Sequence, residues 1–217
     1  GFEKDNDYVE YFLPVPKAIP ERYSKLAEMV MTRYNLKIRK LTKKDVYEGG
    51  YGHKLFALIN DTYTDLYGFA ELTEKQIDQY VKMYMPVANL DFITVIEDAG
   101  ADNKLVGMGI TIPSLSRALQ KCRRGRLMPF GWWHIIRALK FNKTDGVDLL
   151  LMGVLPEYRA KGANALLFYD LIPRYQSAGI KWGESQVEME SNSGVQSQWG
   201  GFEPVNHKRR RCFKKSI

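Results

Sequence analysis

Residues 148–165, DLLLMGVLPEYRAKGANA, constrain the fold of this chain more than any other stretch. Asp148 to Leu155 is a nearly continuous apolar run, the pattern of a strand buried on both faces. Pro156 ends it, and a basic, glycine-containing turn follows through Arg159, Lys161 and Gly162. A helical pattern over about 162–178 comes next, with Ala165, Leu166, Leu167, Leu171 and Ile172 on or near one face. A buried strand that feeds a helix through a short turn demands a sheet with that helix packed against it. Such a turn also bares backbone N–H groups at a helix N-terminus beside cationic side chains, which suits a phosphate.

The rest of the chain extends this unit. DYVEYFLPV (7–15) reads as a strand, and Pro14, Pro16 and Pro20 then interrupt it as a linker. A helix is expected over 20–34, a short strand over 35–41, and helices over about 52–67 and 73–86. Thr73 and Gln76 form a capping-box pattern at the start of the last of these. FITVIED (92–98) and KLVGMGITI (104–112) read as a strand pair joined by a Gly/Asp/Asn turn. After the helix at 162–178 come a strand at 183–190, a short helix at about 192–199 and terminal strands within 202–215. Strands alternating with helices argue for an α/β sheet flanked by helices.

Composition limits the function classes. With 217 residues, 45% of them apolar and 26% charged, the chain can bury a sizeable core. No apolar run approaches the roughly 18–20 residues of a membrane span. Cys122 and Cys212 are far apart, which fits a reducing, cytoplasmic setting rather than a disulfide scaffold. His53, His134 and His207 show no ligand spacing, so no metal site is expected. The net charge of +7 is local. Residues 113–145 carry Arg117, Lys121, Arg123, Arg124, Arg126, Arg137, Lys140 and Lys143 against Asp145 alone, and the tail HKRRRCFKK (207–215) is also basic. No RNA- or DNA-binding signature accompanies either segment, so nucleic acid is not the expected partner.

The turn, its flanking strand and helix, and the later ESNSGVQSQWGGF resemble the GNAT acyltransferase superfamily. The family's phosphate turn, Gln/Arg-x-x-Gly-x-Gly/Ala, falls on Arg159, Ala160, Lys161, Gly162, Ala163 and Asn164. The resemblance implies a mixed, mostly antiparallel, twisted sheet of α/β (α+β) type, with a helical insertion at 113–145 before the family's fourth strand. It implies that N–H groups of Lys161, Gly162, Ala163, Asn164 and Ala165 hold the pyrophosphate of acetyl-CoA. The thiol-bearing arm would lie along Met152, Gly153 and Val154, where a backbone N–H polarises the thioester carbonyl. Asn192 and Trp199 would belong to the same cofactor site. GFEKDN at the start of the chain echoes GFEPVN at 201–206. Residues 1–13 then read as the terminal strand of a preceding, related module. Residues 14–34 form a linker and helix, and 35–217 the acyltransferase domain, whose partner upstream would be another domain of one longer chain.

The resemblance implies an N-acyltransferase acting on the amine of a small acceptor. An amine of pKa about 10.4 must lose a proton at pH 7, a cost of about 4.6 kcal/mol, so a base matters more than an acid. Glu188 is the first candidate and Asp148 the second. Gln186, Glu188, Glu190 and Asn192 share a face by period two, which equally describes a solvated or ion-paired strand. Two departures from the family pattern, Asn164 in place of a small residue and Trp199 where a tyrosine acid is usual, keep a second reading open: a non-catalytic unit that binds CoA or packs on a partner. In the insertion, Trp132, Ile135, Ile136 and Leu139 recur at helical spacing. They describe either a helix packed on the core or a lid in which Trp132, Trp133 and Arg137 select an anionic acceptor. A helix lying on anionic lipid is the weaker third option, because the stripe is only about three turns long.

Overall fold

A computed structural model of the chain describes residues 1–86, 88–141 and 144–215; Lys143 lies outside them. In chain order the elements are β1 (Glu3–Pro14), α1 (Glu21–Tyr34), β2 (Leu36–Arg39), α2 (Lys43–Tyr47), α3 (Tyr51–Thr62) and α4 (Glu74–Tyr84). Then come β3 (Ile93–Asp98), β4 (Lys104–Pro113), α5 (Ser116–Gln120), α6 (Gly131–Phe141), β5 (Gly146–Val154) and α7 (Pro156–Arg159). The chain closes with α8 (Asn164–Ser177), β6 (Trp182–Ser185), β7 (Glu188–Met189), α9 (Ser193–Gln196) and β8 (Val205–Lys214).

The sheet runs β2-β3-β4-β5-β6-β1, with β7 on the same edge of β1 as β6 and β8 on its other edge. Every pairing is antiparallel except β5 with β6, so the sheet is mixed and mostly antiparallel, as the sequence implied. All five apolar residues named for the helix of α8 are buried. That helix divides the interior in two. Leu166 and Leu167 join Leu55, Ile59, Ile96 and Met108 on one side, and Phe168, Leu171 and Ile172 join Leu13, Val147, Leu149 and Trp199 on the other.

Several boundaries differ from the sequence reading, each for a local reason. The strand expected over 183–190 is broken at Gln186 and Val187 into β6 and β7. Residues 43–47, outside the elements expected from the sequence, form α2, with Thr42 and Asp45 closing a capping box at its start. The helix expected to reach 67 stops at Thr62. The terminal segment is one strand, β8, and not several. In the insertion α6 forms with Ile135, Ile136 and Leu139 of its apolar stripe half-buried. Its buried residues are Gly131 and Ala138, Trp132 is exposed, and no residue of α6 belongs to either core cluster.

The N-terminal strand is integral to the sheet. β1 contributes Leu13 and Val9 to the buried face and fills the slot between β6–β7 and β8. Its register with β8 pairs Val9 with Arg209, a separation of 200 residues, the same that relates Gly1 to Gly201 in the repeated GFE. Tyr8 with Arg210 and Glu10 with Lys208 flank that pair symmetrically. The two strands that follow the repeat therefore meet about a local pseudo-twofold axis.

This seam also accounts for the basic tail. Arg211 donates to Asp7 from Nε at 2.7 Å and from Nη2 at 2.9 Å, and Arg209 Nη1 adds a third bond at 2.7 Å. Lys208 and Arg210 bond Glu10, and Arg209 also reaches Glu190 at 3.0 Å. The cations of 208–211 are thus neutralised by acids of β1 and its neighbours. Asp7 is wholly buried, and a buried carboxylate is tolerable only when paired in this way. Hydrogen bonds from Arg211, more than offsetting desolvation, hold its carboxyl far below the usual aspartate range. The stability this contributes is present above about pH 3.9 and is lost as pH falls toward the lowered folded value. Asp7→Asn is expected to lower the thermal midpoint by several degrees at pH 7 and to flatten the acid limb of the stability profile, both read by thermal unfolding from pH 2 to pH 7.

Candidate functional site

The site is built where β5 and β6 stop pairing. Their parallel ladder runs from Gly146 and Trp182 to Leu149 and Ser185, and no further. β5 continues to Val154 while the other chain breaks away at Gln186. A register shift against β4 leaves Leu150 unpaired, the mark of a β-bulge, which bends the strand and swaps its faces. Beyond it Gly109, paired with Met152, looks toward Leu167 and Leu171 of α8, whereas Gly153 looks toward Thr62 of α3. Gly153 gives α3 room: a Cβ there would stand 2.6 Å from the Thr62 hydroxyl.

Two hollows, of about 400 and 330 Å³, open along the parting and share Tyr63, Met152, Asn192 and Val195, so they form one groove. At one end lie Val154, Arg159 and Asn164; at the other lie Leu149, Ser185, Glu188 and Trp199. The edge of β5 that faces the groove carries a backbone amide already in use. Met152 N–H donates to the Tyr63 hydroxyl at 3.2 Å, and the same hydroxyl donates to Met152 C=O at 3.2 Å. Tyr63 thus caps the strand edge as a neighbouring strand would. Sequence reasoning missed it, because α3 is far from β5 in the chain and nothing local marks residue 63. Burial raises the Tyr63 phenol above its ordinary value.

The turn after β5 is wound tightly. The N–H groups of Lys161, Gly162, Ala163 and Ala165 donate to Tyr158, Arg159, Tyr158 and Gly162 carbonyls at 3.0–3.2 Å. Of the five amides assigned to a pyrophosphate, that of Asn164 alone has no backbone acceptor. Gly162 takes a positive φ of 86°, and a Cβ there would press on Leu26 of α1 at 3.1 Å, so the turn requires glycine. The cations are also engaged. Arg159 reaches Val154 C=O at 3.2 Å and Thr62 C=O at 3.4 Å, and the Lys161 ammonium stands over the Tyr158 and Tyr34 rings at 4.3 and 5.2 Å. The end of the groove nearest this turn presents Asn164 beside Arg159.

Glu188 sits inside the groove, and its ladder partner is Val9 of β1. Trp199 Nε1 donates to both carboxylate oxygens, at 3.0 and 3.3 Å. Desolvation raises the Glu188 carboxyl to about 7, against the smaller opposing effects of Ser185 and Trp199. Trp199 itself is buried and packs edge-on to Phe168 of α8. Asn192 caps α9 by accepting from Val195 N–H at 3.3 Å and lines both hollows.

The two candidate bases are not brought together. Asp148 pairs with Glu184, whose partner on β1 is Phe12, on the face away from α8. It is raised by burial, opposed by Ser114, in a group that includes Glu184, Lys208 and Glu10. His207 also joins that group: atoms of Glu10, Glu184 and His207 lie within 4.8 Å of one another, with the Lys208 ammonium bonded to both acids. Glu190 faces Lys4 and Arg209, so the period-two face of 186–192 is not continuous. Trp132, Trp133 and Arg137 lie in the insertion that precedes the other end of β5, and none lines the groove.

No family model matches the chain. Over 196 residues it is 21% identical to a protein named bacterial ceramide synthase from Caulobacter vibrioides (strain NA1000 / CB15N), a match covering 88% of this chain and 46% of that protein. A GCN5-related N-acetyltransferase from Sphaerobacter thermophilus superposes on 99% of the chain with a TM-score of 0.59 and 10% identity, using 53% of its own length. A tandem GNAT protein from the clavulanic acid biosynthesis pathway superposes on 98% with a TM-score of 0.53 and 10% identity, using 54% of its length. The chain has the GNAT fold. It spans about half the length of the curated relative it matches and of both structures. In GNAT terms the parted strands β5 and β6 are the fourth and fifth, and Trp199 stands where the resemblance placed a tyrosine.

A carboxyl raised on folding stabilises the protein below its unfolded value and does so less as pH rises through its folded value. The Glu188 contribution is therefore lost between about pH 4.3 and about 7. Glu188→Gln is expected to be more stable than the parent at pH 8, by on the order of 1–2 kcal/mol after solvent screening, and equal to it near pH 4. Urea unfolding at the two pH values checks this.

Proposed function

We propose that the chain is an N-acyltransferase unit that transfers an acyl group from acyl-CoA, acetyl-CoA being the simplest donor, to the amine of an acceptor in a ternary complex. The observation that carries the proposal is a buried carboxyl poised near neutral pH at the mouth of parted strands. Bound in the groove, acyl-CoA supplies the thioester. Glu188 takes a proton from the attacking amine as the C–N bond forms, and its value of about 7 suits a base working at neutral pH. The Trp199 indole steadies the carboxylate but cannot protonate a thiolate. Tyr63 gives up the Met152 amide, which then donates to the developing oxyanion. The Tyr63 hydroxyl delivers a proton to sulfur as the C–S bond breaks, and solvent restores it.

The Caulobacter relative is named a ceramide synthase, and a ceramide is an amide, which supports an amine acceptor. The groove walls at Leu149, Leu150, Leu151, Val187 and Val195 favour an acceptor or acyl chain with an apolar body. An anionic acceptor had rested on Trp132, Trp133 and Arg137, which stand outside those walls. Residues 1–13 belong, in this proposal, to a preceding, related unit, a reading that the pseudo-twofold register of β1 and β8 supports.

One observation favours the alternative of a unit that binds without catalysis: four of the five turn amides are internally bonded. Release of free CoA thiol from acetyl-CoA and from a long-chain acyl-CoA, across a panel of amines, separates the two. Turnover is expected, falling about 100-fold or more in Glu188→Gln, with the parent rate rising through pH 7 to a plateau. A thermal shift with CoA but no thiol from any pair would assign the chain to the alternative. The absence of both would dismiss the acyl-CoA reading.

A further inference from the structure

The insertion between β4 and β5 carries a surface that the acyltransferase proposal does not use. Arg123 to Phe130 are eight consecutive exposed residues without an acid among them. Three arginines, Arg123, Arg124 and Arg126, run directly into Leu127, Met128 and Phe130, and the last two are 72% and 74% exposed. The first turns of α6 continue the apolar surface. Trp132 and Trp133 meet edge-on with ring centroids 6.0 Å apart, and Phe141 lies 6.4 Å from Trp133, all three exposed. Leu119 of α5 is half exposed as well. So concentrated an exposed apolar patch is unusual for a surface that meets only water, and patches of this kind mark contact sites.

The charge around it is equally one-sided. Among the described residues of the insertion, Asp145 is the only acid, and it pairs with Arg117 at 2.9 Å. Arg123, Arg124, Arg126, Arg137, Lys121 and Lys140 make no ion pair with any described residue. This contrasts with the basic tail, whose cations meet Asp7, Glu10, Glu184 and Glu190. Near the apolar tip, Lys121, His134 and Arg137 border a hollow of about 450 Å³ that also holds the Arg117–Asp145 pair.

We infer that residues 117–141 form a docking surface for an anionic phospholipid bilayer, with the tip at Leu127–Phe130 and the α6 aromatics entering the headgroup region while the arginines and lysines meet lipid phosphate. Aromatic rings at the boundary of headgroups and acyl chains, flanked by cations, are what such an interface binds. The aliphatic members, Leu119, Leu127 and Met128, tell against single-stranded nucleic acid, which wants flat rings to stack on. The density of unpaired cations tells against a protein partner, because interface cores are depleted of charge. The short stripe of α6 is no obstacle, since the loop before it supplies most of the exposed apolar surface. No described helix is long and apolar enough to cross a membrane, so contact at the surface is the relevant mode.

Cosedimentation of the full chain with vesicles tests this without reference to catalysis. Vesicles of phosphatidylcholine alone are compared with vesicles that also contain phosphatidylglycerol, at low and high salt. Binding is expected only to the anionic vesicles and at least tenfold weaker at high salt. Met128→Ser with Phe130→Ser and Trp133→Ser should weaken it about tenfold or more, and Arg123→Gln with Arg124→Gln and Arg126→Gln about 100-fold. Lys43→Gln with Lys75→Gln, which removes exposed cations elsewhere, should leave it unchanged. Thermal unfolding establishes that each variant folds. No sedimentation, parent-like binding by either tip variant, or a preference for single-stranded RNA over anionic vesicles would each overturn the inference.

Discussion

The structure depends on one interrupted ladder. β5 and β6 form a parallel pair for only a few residues, and the rest of β5 is left with one edge unsatisfied. A buried strand edge cannot remain bare, because each unpaired N–H and C=O costs about as much as a lost hydrogen bond. The chain meets the demand with the Tyr63 hydroxyl at Met152 and the Arg159 guanidinium at Val154. Both are side-chain substitutes for a strand. The bulge at Leu150 adds the bend that keeps the edges apart. The groove is therefore a consequence of sheet geometry, and everything assigned to it follows from which side chains border the opening.

Glu188 illustrates how burial sets chemistry. Two carboxyls of the same region, Asp7 and Glu188, are displaced in opposite directions. Asp7 is buried among guanidinium groups, which stabilise its charge. Glu188 is buried beside an indole, a serine and apolar strand residues, where one N–H donor cannot replace hydration. The first becomes a fixed anion that ties the N-terminal strand to the last one. The second becomes a group that changes charge near neutral pH. Tryptophan at position 199 gives the Glu188 carboxylate an indole N–H donor, and the Tyr63 hydroxyl, just past α3, stands on the strand edge at Met152.

Charge in this molecule is divided between structure and surface. The tail and the insertion look alike as sequence, since both are runs of arginine and lysine. In the fold the tail becomes β8 and lies against an acidic strand, so its charge is consumed within the sheet. The insertion lies outside both core clusters, and among the described residues only Asp145, at Arg117, pairs with its cations. Net charge alone could not separate the two.

The sequence by itself determined the elements whose cause is local. The apolar run of β5, the turn that needs Gly162, the buried face of α8, and the capping of α4 by Thr73 are fixed by neighbours within a few residues, and all were legible. Glu188 was legible as a candidate because its strand and spacing are local facts. Tertiary structure decided whatever depends on residues far apart in the chain: the break between β6 and β7, the hydroxyl of Tyr63 on Met152, the separation of Asp148 from Glu188 onto opposite faces, and the half-buried stripe of a helix that lies outside both core clusters. The physical reason is the same in each case. Hydrophobic periodicity records that a side chain can be buried, but only the assembled sheet says which surface is left to bury it and which charge arrives to pair with it.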